Sequence, residues 1–84
     1  MTRTFEAKII YKVNANHPDL GDLPESEWKD KEFTYEDTYH INPDFFWGED
    51  HIMEHIQEDL LLTAGGGYNW KGLSEYKFEI EEVR

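Results

Sequence analysis

The sequence contains no cysteine, which removes disulfides, thiolate nucleophiles and Cys-ligated zinc together. It also lacks any apolar run near the roughly 18 to 20 residues of a membrane-spanning helix, and Met1 to Val13 has no apolar core of the secretory-signal kind. These absences lead to the expectation of a cytoplasmic protein. Basic side chains are scarce: 8 Lys and Arg stand against 19 Asp and Glu, for a formal net charge of −11. The scarcity is local. Residues 32 to 62 carry no Lys or Arg, yet hold Glu32, Glu36, Asp37, Asp44, Glu49, Asp50, Glu54, Glu58 and Asp59, whereas the flanking segments are close to balance. Such a field repels nucleic acid and anionic membranes and attracts basic surfaces.

Large apolar side chains are nonetheless present. The chain is 38% hydrophobic and 15% aromatic, enough to fill a core in spite of the charge, and 84 residues leave room for one domain spanning residues 1 to 84. Thr4 to Val13 alternates, with Phe5, Ala7, Ile9, Tyr11 and Val13 on one side, which predicts a half-buried strand. Asn14 to Asp30 is rich in turn formers, with one helical turn expected over Glu25 to Lys29 behind Pro24; Leu20, Leu23 and Trp28 are expected to pin this loop to the body. Lys31 to Ile41 alternates again, with Phe33, Tyr35, Tyr39 and Ile41 inward. Asp37 falls among these aromatics, so either a bulge turns it away or it faces an open end of the sheet.

Asn42-Pro43-Asp44 reads as a helix start, with Asn as N-cap, Pro at the first helical position and an acid in the first turn. The helix is expected to reach about Thr63, with Phe45, Ile52, Met53, Ile56, Leu60 and Thr63 on its buried stripe, and Gly48 either loosens its first turn or divides it. Gly65-Gly66-Gly67 ends it, and Glu75 to Val83 supplies a last strand with Tyr76, Phe78 and Ile80 inward. The order is β-β-α-β. A helical crossover makes the second and third strands run the same way with the first between them and antiparallel to both, so an α+β fold is expected, a three-stranded sheet in order 2-1-3 with one helix on one face.

The motifs give little support for catalysis. His51-Ile52-Met53-Glu54-His55 matches the H-x-x-E-H zinc motif and so resembles the inverted zincin peptidases, with Glu58 one turn on as a third candidate ligand. That family builds a large domain with a distant acidic ligand, so two surface histidines on an acidic helix are the preferred reading, with no metal or other cofactor. The glycine run follows a helix instead of preceding one and lacks the Lys-Ser/Thr ending of a phosphate loop. Ser26 and Ser74 stand in no nucleophile motif.

The acidic stretch remains, with Glu36, Asp37, Glu49, Asp50, Glu54, Glu58 and Asp59 as candidate contacts and Trp47, Tyr68 and Trp70 as candidate anchors, since Trp and Tyr are favoured at interfaces. In size, acidity, lack of cysteine and α+β build, the chain resembles the small phage-encoded inhibitors of host defence, the anti-CRISPR and anti-restriction proteins that mimic DNA. The resemblance is compositional and carries no residue roles; it implies a carboxylate surface that occupies the Lys- and Arg-lined channel of a nucleic-acid-binding complex. A non-enzymatic protein that binds a basic partner is therefore the leading expectation. A small metal-binding protein or hydrolase using His51, His55 and Glu58 is the alternative, followed by an accessory subunit with incidental acidity.

Overall fold

The computed structural model describes residues 2–66 and 70–83, apart from the side chain of Trp70. Alternation makes the strands. In β1 (Arg3–Val13), Phe5, Ala7, Ile9 and Val13 turn into the core while Glu6, Lys8 and Lys12 face the other way. β2 (Phe33–Ile41) and β3 (Leu73–Val83) flank β1, both antiparallel to it, in the order β2-β1-β3. α1 (Glu49–Ala64) is the crossover between two strands of the same direction, so β1 fits between them, and the helix covers one face of the sheet. The α+β architecture and strand order are those expected from the alternation and the crossover.

α1 buries Ile52, Ile56, Leu60 and Ala64, a row of i, i+4 neighbours, with Met53 beside them. Two expected members of the stripe are absent from it: Phe45 is exposed and so is Thr63. The reason is phase. Gly48, at φ +145°, separates α1 from a short 3-10 turn over Pro43–Phe45, so Phe45 does not share the register of the helix and Phe46 packs on the core in its place. At the other end the inclined row reaches Ala64 instead of Thr63.

α1 lies against β1 and β2, which leaves the inner face of β3 partly uncovered. Phe78 and Ile80 are half-buried there, whereas Tyr76, expected inward, is 45% exposed. Of the three loop residues expected to pin the Asn14–Asp30 loop, Leu20 and Trp28 pack on the core and Leu23 does not. The expected helical turn forms at Glu25–Glu27. No bulge occurs at Asp37: the β1/β2 ladder runs unbroken from Arg3↔Ile41 to Tyr11↔Phe33, with Asp37 opposite Ala7. Asp37 is exposed on the edge strand and accepts from the Tyr35 hydroxyl (3.2 Å) and the Thr38 N–H (2.8 Å), which removes the cost of an unpaired carboxylate.

The long loop is seated by a residue that periodicity does not reveal. His17 is buried, its Nδ1 accepts from the Asp19 N–H (3.2 Å), and its Nε2 therefore carries the proton donated to the Ala64 carbonyl (2.6 Å). The loop can approach this closely because Gly72 has no side chain: a Cβ there would lie 2.8 Å from the His17 Cα. Gly72→Ala is expected to cost about 1–3 kcal/mol as an overpacking change. Thermal denaturation followed by circular dichroism should show a midpoint lowered by about 4 °C or more in a chain of this length. An unchanged midpoint would show that the loop is not wedged against this glycine.

Candidate functional site

The head of α1 is assembled from local rules. The Asn42 side chain accepts from the Asp44 N–H (3.1 Å) and caps the 3-10 turn, which Pro43 enters with its φ already set. The chain then extends through Phe46 and passes Gly48 before α1 begins. The Trp47 N–H, left without a helical acceptor, donates to His51 Nδ1 (3.1 Å). Phe46 folds inward, its ring edge-on to both His51 and His55 at centroid distances of 5.1 and 5.2 Å. Its neighbours point outward: Phe45 is 77% exposed and Trp47 95%.

Along the outer side of α1, Asp50, Glu54 and Glu58 stand one turn apart, each step rising about 6 Å along the axis, and all three are exposed. The remaining candidate acids do not join this row. Glu49 is drawn to Arg3, whose guanidinium bridges it (2.5 Å) and Glu82 (2.7 Å), tying the start of α1 to β3. Asp59 turns toward β2 and accepts from the Tyr39 hydroxyl at 2.5 Å. Asp37 lies on the same side of β2, while Glu36 points to the opposite, open face of the sheet. Of the nine acids from Glu32 to Asp59, Glu49 alone is ion-paired among the described residues. Tyr68 lies outside the described residues, as does the side chain of Trp70, so neither is placed relative to this surface.

Burial, followed by the hydrogen bond to Asp59, pushes the Tyr39 phenol well above the usual tyrosine range; burial, followed by the bond to Asp37, pushes Tyr35 up as well. Both therefore remain donors at neutral pH. Because the folded-state pKa values are raised, the stability these tyrosines contribute is complete below pH about 10, where unfolded tyrosine ionises, and declines as pH rises beyond it.

The open face of the sheet adds a second acidic region that a linear count of charges does not show. Glu6, Glu36, Glu79 and Glu81 surround Lys8 in a shallow concavity, and Glu6 sits directly across the ladder from Glu81. Lys8 reaches one of them, Glu79, at 3.8 Å. The signal in the sequence was the alternation of acids on the polar sides of three separate strands, visible only once they are aligned.

The H-x-x-E-H motif does not assemble as a metal centre. His51 Nδ1 is engaged by the Trp47 N–H, Phe46 lies against both imidazoles, and among the described residues no three His, Asp or Glu side chains converge. Zinc is expected to bind no more tightly than about 1 μM, near −8 kcal/mol, against about 10–16 kcal/mol for a closed structural site. Calorimetric titration of chelator-treated protein checks this; stoichiometric submicromolar binding that disappears in His51→Ala would restore the metal reading. Comparison of the chain with models of protein families, with curated proteins and with solved structures finds no match in any of the three. Among the described residues no helix is long and apolar enough to cross a membrane.

Proposed function

We propose that the protein is a non-enzymatic binding protein whose α1 outer face docks on a basic partner, acting as an inhibitor of a nucleic-acid-binding complex. The observation that carries this reading is the row Asp50, Glu54 and Glu58, exposed and without an ion pair among the described residues. Ordinary solvated helices intersperse both signs at i, i+4, and this one tolerates its own repulsion. The spacing qualifies the analogy with DNA. One carboxylate per about 6 Å of helix is sparser than one phosphate per about 3.4 Å of a single strand, which favours a discrete Lys/Arg patch over a channel shaped to a duplex.

Ser74, which stands in no nucleophile motif, is engaged with the backbone. Its hydroxyl donates to the Lys12 carbonyl (3.4 Å) at the irregularity where β3 shifts register against β1. The test begins with capture of interacting proteins from the native host and continues by surface plasmon resonance over a salt series. The expected result is an association rate that falls steeply as ionic strength passes about 0.15 M, where the screening length is about 8 Å. A salt-independent association rate would show that the acidity only maintains solubility.

A further inference from the structure

Trp47 and Phe45 form the most exposed large apolar surface of the described residues, and they are held outward by several independent constraints. Gly48 adopts a φ of +145° that side chains of L residues rarely permit, the Trp47 N–H is fixed on His51 Nδ1, and Phe46 is anchored against two imidazoles. A backbone this constrained does not leave an indole in water through slack; it presents it. The carboxylates of Asp44 and Asp50 lie within three residues of Trp47 along the chain and are not ion-paired among the described residues. An anionic occupant would be repelled there, and so would a second copy of a chain carrying −11.

We infer that this aromatic knuckle receives an arginine-bearing segment of a protein partner, with a guanidinium stacked on the Trp47 indole and its N–H groups directed at the neighbouring carboxylates. The inference rests on the proposed reading of the protein as a binder of basic partners. Arginine is favoured over lysine because its planar, weakly hydrated guanidinium stacks on aromatic faces and forks onto carboxylates, whereas a lysine ammonium acts as a strongly hydrated point charge. The molecule already uses this chemistry once. The Arg3 guanidinium lies 5.2 Å from the centroid of the Phe5 ring while Glu82 accepts from its Nε and Nη2.

Titration of the full chain with deca-arginine and deca-lysine at low ionic strength, with affinities read in every variant from the backbone amide resonances of α1, tests the inference. Deca-arginine should bind about 3- to 10-fold more tightly, the size of one exposed to partly desolvated cation–π contact. Trp47→Ala should bring the two affinities within about twofold, and Trp47→Phe should fall between, while neutralising Glu54 and Glu58 together, away from the knuckle, should weaken both peptides and keep their ratio. Equal binding of the two peptides, or an arginine preference that survives Trp47→Ala, overturns the knuckle and leaves the acidic face standing. Failure of both peptides to bind overturns both readings. Concentration-dependent sedimentation that is lost in Trp47→Ala would assign the knuckle to a second copy instead and overturn the inference.

Discussion

Replacing Asp50, Glu54 and Glu58 together with lysine should lower the association rate with a basic partner by about 10- to 100-fold at low salt and leave the dissociation rate nearly unchanged. The three side chains are exposed and make no ion pair among the described residues, so no packing or ion pair is lost. Lysine at position 50, in the first turn of α1, opposes the helix dipole at a cost of about 0.3–1 kcal/mol, and the variant should retain its native circular dichroism. The change inverts the field over the outer face of α1 while leaving Asp37 and Asp59 bound to their tyrosines. Surface plasmon resonance with the captured partner distinguishes this from a packing effect, which would appear in the dissociation rate. A variant that is folded and associates at the wild-type rate would remove the outer face of α1 from the interface.

The second large effect is on stability. Ile56→Ala should cost about 2–5 kcal/mol, because Ile56 is fully buried at the centre of the α1 row and its loss leaves a cavity under the sheet. For a small protein that is a large share of the whole, about 5–15 kcal/mol, and it should lower the midpoint of urea denaturation sharply. Phe45→Ala is the control. Both residues belong to the apolar stripe expected from the sequence, yet Phe45 is 77% exposed and its loss should fall within about 0.5 kcal/mol. Equal destabilisation by the two substitutions would mean that the helix starts before Gly48 and packs in a different phase.

That contrast marks where the sequence ceases to be informative. Period-two alternation located three strands, and Ile52, Ile56 and Leu60 fixed the buried side of α1, because each pattern is local and repeats within one element. Phe45-Phe46-Trp47 offers three aromatics in succession, and periodicity cannot say which turns inward; the break at Gly48, the Trp47 N–H bond to His51 and the packing of Phe46 on two imidazoles distinguish them. Tyr76 sits at an inward position of its strand, and its exposure depends on where α1 lies across the sheet. His17 is buried because of a carbonyl 47 positions away. The acidic stretch was legible as a total and not as a surface. Glu36 and Asp37, adjacent in the chain, leave the sheet on opposite faces, and Asp59, though exposed, is engaged by a tyrosine on β2.

The position of β1 has a kinetic consequence. One of its ladders closes with a nearby strand, whereas the other pairs Thr4 with Val83 and Val13 with Leu73, joining the first strand of the chain to the last. Loop-closure entropy for those pairs is incurred before any of their contacts forms, which places folding among the slower small domains, on the order of milliseconds to seconds. During synthesis the β1/β2 hairpin and α1 emerge first, with the β3 side of the central strand unpaired and its row of N–H and C=O groups open to any other chain. In the finished β3, Glu75, Lys77, Glu79 and Glu81 recur at every second position on its solvent side, so the strand that closes this vulnerable edge brings charged gatekeepers of its own.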